Sequence, residues 1–480
     1  MVKRWVSALA IATTLAGCGG GDGGGTTAVG GTATATPTPT PTSTVTTGCS
    51  LRDRQNWAFA QLKEWYLFPE TLPTSLDPTP YTDVPYYIDA LTATARSQRR
   101  DRYFTYLTSI AQENAYYNSG SSAGFGIRLS TDAAAGRVYI AEAFEGTPAL
   151  AAGLDRGTEI LAIGTSTADL KTVSSIITAS GTAGVTDALG PTTAGTTRLL
   201  RVTDAAGTRE VSVTKADYEL TPVSARYGAK VITDGGRQYG YINLRTFINT
   251  ADTPLRNAFA QFKAAGITNV IIDFRYNGGG LVSISEEIGD LLGAARSTRD
   301  VLDYTTFRPE KASENATRFF SPQSQSIAPT RIAFIGTGGT ASASELTINA
   351  QIPYLHANVG LIGTNTYGKP VGQIALDRAA CDDRLRVIAF ATQNANRVGD
   401  YYDGLAGTVE ASCQAADDLQ HPLGDPQEGS TRAALNFLQG VSCTRIAAGE
   451  VGAQSAGTAR RDLLTPARPT TAQRETPGLF

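Results

Sequence analysis

Histidine is nearly absent. The 480-residue sequence has only two, His356 and His421, which leaves little material for a histidine-based metal site or a Ser-His-Asp triad. Charge is modest too: 41 Lys and Arg stand against 44 Asp and Glu, a net −3. No field strong enough to gather nucleic acid or an anionic membrane is implied. Lysine is scarce, with eight of the 41 cationic residues scattered along the chain. No apolar run reaches the roughly 20 residues that a membrane-spanning helix needs. What remains is enough for globular structure. A hydrophobic content of 41% with 18% charged residues can build a sizeable core. The length suits two to four domains of roughly 100–200 residues each.

The N-terminus is read as a targeting segment. Lys3 and Arg4 precede an apolar run from Trp5 to Ala16, which ends in Leu15-Ala16-Gly17-Cys18. Small residues before a cysteine resemble a bacterial lipobox, in which the cysteine becomes the lipidated first residue of the mature protein. A plain signal peptide with an incidental cysteine is the alternative. Gly19, rather than Asp, follows Cys18, so the resemblance favours an exported protein on the outer membrane facing the periplasm, or on the cell surface. Four other cysteines remain: Cys49, Cys381, Cys413 and Cys443. None forms a C-x-x-C pair, so no zinc site is expected and the metal count is none. Two disulfides fit an oxidising compartment, with three connectivities open and free thiols as the alternative. The expected pairing joins Cys49 to Cys443, which bracket the folded region, and Cys381 to Cys413.

From Gly19 to Gly48 the chain is glycine runs and Thr-Pro repeats, a composition that buries no core and serves as a tether. From Arg52 the pattern turns helical, with Ala58, Leu62 and Trp65 on one face. A second helical run is expected over Tyr86 to Ala95 and a third around Tyr103 to Ile110. The next block differs. Gly124-Phe125-Gly126-Ile127 leads to a strand at Val138 to Ala143. A short helix follows, with Thr147 at its N-cap, Pro148 at the first helical position and Gly153 at its end. This order, continued by Arg156-Gly-Thr-Glu-Ile-Leu-Ala-Ile163, resembles a PDZ domain over about residues 120–218. A Ser/Thr/Gly-rich insertion lies near 165–196. The resemblance implies that Gly124, Phe125, Gly126 and Ile127 form a loop whose N–H groups hold a peptide's terminal carboxylate while the peptide adds a strand.

From Tyr239 onward strands and helices alternate, which predicts an α/β core with a largely parallel sheet. Strands are expected at 241–247, 269–274, 331–335, 359–363 and 386–391, and helices at 254–264, 284–292 and 342–355. Three segments follow buried strands: Asp273-Phe-Arg-Tyr-Asn-Gly-Gly-Gly280, Thr340-Ala-Ser-Ala-Ser-Glu345 and Tyr367-Gly-Lys-Pro-Val-Gly-Gln373. Strand carboxyl ends are where α/β proteins place their sites. The first segment lacks both the G-x-G-x-x-G spacing and a following Gly-Lys-Ser/Thr of a phosphate loop. Together and in this order, the three segments resemble the carboxyl-terminal processing (tail-specific) serine proteases over roughly residues 55–440. The implied architecture is multidomain, with an α/β protease core that is crotonase-like and ClpP-like. Residues 1–18 are the lipoprotein signal peptide, 19–49 a disordered linker and 50–118 an N-terminal helical domain. The PDZ-like β domain takes 119–220, the protease core 221–446, and a disordered tail 447–480.

The chemistry has its own logic. A serine hydroxyl needs a base. Without a usable histidine, a lysine serves if burial keeps it neutral. Lys369, beside Gly368 and after an apolar strand, is the candidate. The family pattern makes Ser342 the nucleophile, with Ser344 as the alternative, although Ser342-x-x-Glu345 is also a capping box. By resemblance Gln373 orients the lysine. The glycine turn suits an oxyanion hole built from the N–H of Gly279 or Gly280 with that of Ala343. Asp273, Arg275 and Asn277 are expected to brace that turn. The separation of 27 residues between Ser342 and Lys369 exceeds the usual family spacing by about two, an excess placed in the loop Pro353 to Asn358. The expected reaction is peptide-bond hydrolysis of exported polypeptides without a cofactor, the membrane being reached through the lipid anchor at Cys18. The rivals are a catalytically silent PDZ peptide-binding lipoprotein and a crotonase-like acyl-CoA enzyme.

Overall fold

A run such as Asn269–Asp273, with Val270, Ile271 and Ile272 all buried, fits only a strand covered on both faces. The computed structural model describes residues 47–448 and 461–480, so Cys18 and most of the linker lie outside the described residues. The strand sits inside a six-stranded sheet in the order 229–234, 237–243, 269–273, 331–336, 359–363, 411–414. The first two strands form an antiparallel hairpin, and every later neighbour is parallel. Because side chains alternate along each strand, Ile242, Val270, Ile272, Phe334 and Leu361 face one layer with Phe259, Phe262 and Ile348. Tyr241, Ile271, Ala333, Ile335 and Ile362 face the other, under Ala434, Leu435 and Phe437 of the helix Gly429–Leu438. Helix Ala343–Leu355 starts from the loop after the strand Arg331–Gly336. The expected core elements are present with ends shifted by a few residues, except one.

The strand expected at 386–391 runs from Asp383 to Gln393 and lies in a second, antiparallel sheet. It pairs with Val371–Arg378, with Val301–Phe307 and with Tyr106–Ser109. The third helical run expected around Tyr103–Ile110 is therefore largely strand, and the helix there is Ile110–Ser119. Cross-strand partners some 280 residues away decide the conformation of Tyr106–Ser109. The N-terminal helices Leu51–Trp65 and Val84–Leu91 share one core with this sheet: Ala58, Leu62, Tyr66 and Ile88 pack with Val371, Leu385, Val387 and Ile388. A separate helical domain over 50–118 is thereby corrected, since the apolar faces of these helices are buried on residues from the far end of the chain.

A third sheet holds Ile127–Asp132, Arg137–Ala143, Glu159–Gly164, Thr197–Asp204 and Gly207–Thr214 in consecutive antiparallel order. It has its own cluster around Phe125, Ile127, Leu129, Val138, Ile140, Ile160, Leu200 and Val202. The Ser/Thr/Gly-rich insertion folds as a helical segment, Val173–Leu189, broken by a kink at Gly181 (φ +64°), which buries Val173, Val185 and Leu189 on this sheet. Thr147 precedes the short helix Pro148–Ala151, yet its hydroxyl caps no helical N–H and donates back to the Phe144 carbonyl at 2.7 Å.

Two further expectations are overturned. The disulfides are Cys49–Cys381 and Cys413–Cys443, not Cys49–Cys443 and Cys381–Cys413. The turn after Val371–Arg378 brings Cys381 to the start of the first helix, where Arg378 donates to the Asp53 carbonyl at 2.8 Å. Cys413 lies on the last core strand, beside which residues 443–444 return: the Gln414 N–H donates to the Thr444 carbonyl at 2.8 Å. The stretch expected as a disordered tail also differs. Residues 461–480 include a strand at Asp462–Leu463 and a helical turn at Thr471–Glu475, and they bury Ala472, Glu475, Leu479 and Phe480. Many of their partners, Ile127 and Leu129 among them, come from over 300 residues upstream, which local composition cannot signal.

Candidate active site

Strands 269–273, 331–336 and 359–363 are adjacent and parallel, so the three loops at their carboxyl ends stand side by side. The first loop is fixed by buried charge. Arg275 lies 3.0 Å from Asp273 and 2.8 Å from Glu428, and Tyr241 donates to Asp273 at 2.7 Å. Although burial acts to lower it, the Asp273 and Glu428 carboxylates hold Arg275 well above its ordinary pKa. Removing one partner would strand a buried charge at a cost of about 3–5 kcal/mol. Asn277 then ties the loop outward. Its amide donates to the Leu244 carbonyl at 2.9 Å, and its own carbonyl accepts from the Ala341 N–H at 3.0 Å. Asp273, Arg275 and Asn277 thus brace the turn.

The glycines of that turn lie against the serine loop. Gly279 has φ +110°, and a Cβ there would stand 2.8 Å from the Ser342 Cβ. Gly280 has φ +135°, and a Cβ would stand 2.3 Å from the Phe247 carbonyl oxygen. Only glycine meets both demands. The Gly279 N–H, however, donates to Asn277 Oδ1 at 2.9 Å, so it is engaged rather than aimed at a substrate. Gly280 and Ala343 make no N–H hydrogen bond to another group among the described residues.

Ser342 occupies a strained backbone, φ +56° and ψ −117°, at the entry to helix Ala343–Leu355. A non-glycine residue there costs on the order of 1–3 kcal/mol and persists only where its surroundings enforce it. Glu345 supplies that enforcement. Its fully buried carboxylate accepts the Ser342 N–H at 3.0 Å and the Lys369 N–H at 2.7 Å on one oxygen. The other oxygen accepts the Gly368 N–H at 2.7 Å and the Thr366 hydroxyl at 2.6 Å. Burial pushes the Glu345 pKa up, against these donors, which favour the ionised form. One side chain therefore joins the serine loop to the lysine loop. The sequence suggested it only as half of a capping box.

Lys369 is half-buried, and its ammonium donates to Gln373 Oε1 at 3.0 Å. An irregularity in strand pairing between Gly372 and Gln373 re-aims the glutamine, whose amide donates to the Phe104 carbonyl. The Phe104 ring lies 5.0 Å from the lysine nitrogen. Burial first of all pushes the Lys369 pKa below its ordinary value; Arg474 and Arg386 add to this, while Glu475 and Asp101 oppose it. Gly368 at φ +89° lets the backbone pass Tyr402, whose carbonyl oxygen a Cβ would approach to 2.3 Å. Arg102 clamps the same loop through the carbonyls of Tyr367 and Tyr402 at 2.8 and 3.2 Å. Phe104 and Arg102 carried no signal in the sequence, because a carbonyl and a cation from the N-terminal segment reach the site only through the long-range strand pairing.

Other candidates stand apart. Ser344 is fully buried and donates to the Asn277 carbonyl at 3.1 Å. His356 lies at the far end of the 13-residue helix that Ser342 opens, roughly 20 Å away along its axis; it pairs with Glu410. His421 pairs with Asp418. A cleft of about 890 Å³ opens beside Lys369, Tyr367, Gly278 and Ala341 and is also lined by Arg474 and Glu475. In the Gly124–Ile127 loop, the Phe125 and Ile127 side chains point into the core, and the N–H groups of Gly126 and Ile127 donate to the Phe480 main-chain oxygen at 2.9 and 3.2 Å.

Residues 238–395, which contain the glycine turn, Ser342, Lys369 and Gln373, match the family described as Peptidase family S41. Within this stretch the core is similar to peptidase family S41. The chain is also similar to a carboxyl-terminal-processing peptidase 3 of Arabidopsis thaliana chloroplasts, 25% identical over 71% of this chain and 63% of the relative. To a carboxyl-terminal-processing protease of Picosynechococcus it is 26% identical, over 52% of this chain and 55% of the relative. It thus spans less than two thirds of the length of these curated relatives. A solved structure named for the S41 proteases, from Bacteroides fragilis, covers 80% of this chain and 97% of its own at TM-score 0.61 and 21% identity. That likeness concerns the fold.

Proposed function

We propose that this chain is a serine endopeptidase of the Ser-Lys type, acting on exported polypeptides. The observation that carries the reading is the Glu345 carboxylate, which accepts the N–H groups of both Ser342 and Lys369 on one oxygen. Such a shared acceptor holds a nucleophile and a base in fixed register. The Ser342 Oγ attacks a substrate carbonyl carbon, and its proton passes to the neutral amine of Lys369. The oxyanion is received by the N–H groups of Gly280 and Ala343. The C–N bond then breaks as the lysine ammonium protonates the leaving amine. A water, deprotonated by the same lysine, hydrolyses the acyl-serine and returns the proton to Ser342. Gln373 keeps the amine aimed between these steps.

In the same reading the 127–214 sheet is a PDZ-like module that recognises or gates polypeptide tails through the Gly124–Ile127 loop, since its N–H groups donate to a main-chain oxygen of an added segment. Cys18 is the lipid attachment point that tethers the exported chain to a membrane; two disulfides fit that compartment. Labelling with a fluorophosphonate probe tests the proposal. A single adduct on Ser342, absent from Ser342→Ala, is expected. No adduct, or one on Ser344, would overturn it.

A further inference from the structure

Nothing in the composition of residues 461–480, with their three prolines, suggests a core element, yet the segment covers two sites at once. Strand Ile127–Asp132 is paired on one edge by Arg137–Ala143. Its other edge is filled by the C-terminal segment in two stretches. Asp462 and Leu463 pair with Thr131 and Ser130. Farther along the same edge, Leu479 lies antiparallel to Arg128, the Leu129 N–H donates to the Gly478 carbonyl at 2.8 Å, and the Phe480 N–H donates to the Ile127 carbonyl at 2.9 Å. The Phe480 ring is 3% exposed, in the cluster that holds Phe125, Ile127 and Leu129. Gly124 permits the approach: a Cβ there would meet the Phe480 carbonyl carbon at 2.7 Å. Gly126 serves a different end, because its Cβ would strike Thr147 at 2.1 Å.

Between these stretches the segment crosses the cleft beside Lys369. The Glu475 carbonyl accepts the Gly278 N–H at 3.0 Å, next to the glycine turn, and Arg474 donates to the Tyr103 carbonyl at 2.8 Å. The Glu475 carboxylate is the foremost charge favouring the protonated form of Lys369, which a base must leave to act. The backbone here is helical over Thr471–Glu475, with the Thr476 N–H donating to the Ala472 carbonyl at 2.8 Å. A helical turn does not present the extended strand that an added substrate presents. The segment forms one wall of the cleft beside Lys369 without the shape of a cleavable chain.

We infer that residues 461–480 are an intramolecular ligand that occupies the recognition groove and overlies the cleft beside Lys369, and that the groove takes extended segments with a large apolar residue at the position of Phe480, as in Gly-Leu-Phe. The inference rests on the peptidase reading for its consequence but not for the docking itself. A tethered ligand acts at an effective concentration in the mM range, so a free peptide must compete with it. Segments that place a better apolar side chain in the Phe480 position displace it and uncover the cleft.

The test uses the full chain with a fluorescent probe of the sequence Gln-Arg-Glu-Thr-Pro-Gly-Leu-Phe, followed by anisotropy, with hydrogen exchange over residues 474–480 in parallel. Phe480→Asp should release the segment to exchange, and the probe should bind at least about tenfold more tightly than to the wild type. Gly124→Ala, at a position without a strained φ, should release the segment too but should bind the probe no better than the wild type. Probe binding unchanged in Phe480→Asp, a segment that stays protected there, or Gly124→Ala binding as well as Phe480→Asp would each overturn the inference. Fluorophosphonate labelling separates the two claims. Tight probe binding by Phe480→Asp with no label on Ser342 would leave the docking standing and remove the peptidase reading; faster labelling in Phe480→Asp supports both.

Discussion

The cleft beside Lys369 and the groove on strand Ile127–Asp132 are built from different materials. In the cleft, buried side chains hold one another: Glu345 joins two loops through four donors, and Arg275 is locked between carboxylates. In the groove, main-chain N–H and carbonyl groups of one strand edge meet another main chain, and one phenylalanine fills the pocket. A side-chain network fixes geometry to within a bond length and tolerates little change. Edge pairing asks little of the incoming sequence and can be exchanged. The molecule thus separates a rigid site, where chemistry demands precision, from an adaptable one.

The largest effects should come from breaking the rigid side. Ser342→Ala, Lys369→Ala and the double variant should each lower kcat/KM on an unfolded polypeptide by at least ~10³-fold and by similar factors, because members of one catalytic unit are not additive. Stability should stay within about 2 kcal/mol for Ser342→Ala, the value of a helix cap. Lys369→Arg should not rescue, since a guanidinium remains charged.

Next comes the network itself. Glu345→Gln places an amide NH₂ among four donors and should cost on the order of 10²-fold in labelling of Ser342, together with about 1–3 kcal/mol of stability measured by denaturant titration. Normal labelling in this variant would mean that the shared carboxylate is only a cap. The disulfides should matter for stability and not for chemistry. Removing Cys413–Cys443 or Cys49–Cys381 should cost roughly 2–5 kcal/mol, more for the second because it closes the longer loop, 332 residues against 30. The rate of labelling in the folded fraction should not change.

The smallest effect sharpens the comparison through the groove domain's own buried lysine. Lys215 donates to the carbonyls of Gly190 and Pro191, both at 2.9 Å, and burial brings its pKa down to about 8. Between pH 8 and the ordinary lysine value the unfolded chain binds the extra proton, so stability should rise with pH across that window. Lys215→Met should flatten this slope without altering hydrolysis, as read from thermal melts at several pH values.

Much of the rigid site was legible in the sequence because its parts are local. The serine, the lysine and the glycine turn lie within short motifs after buried strands, and an alternating α/β pattern puts those strand ends together. Glu345 was visible as a helix cap, but its reach to Gly368 and Lys369 depends on which strands are neighbours. The adaptable site was half legible. Gly124–Ile127 announced a loop with free N–H groups, whereas its occupant belongs to a proline-rich stretch with no periodicity. Tyr106–Ser109 read as helix, and Cys49 was paired with Cys443 instead of Cys381, for the same reason: strand pairing with residues hundreds of positions away decided both. Residues 173–189 are poor in strong helix formers other than alanine, and tertiary packing of Val173, Val185 and Leu189 overrides that propensity.

The central claim is that a lysine, with its pKa lowered by burial, activates Ser342. The rate of fluorophosphonate labelling measured from pH 5 to 11 tests it most directly. A rate that rises with pH through one group titrating below the ordinary lysine value is expected, unchanged when His356 and His421 are both replaced by glutamine. A midpoint near the histidine value of about 6.5 that disappears in the histidine variant, or a full rate in Lys369→Ala, would contradict it.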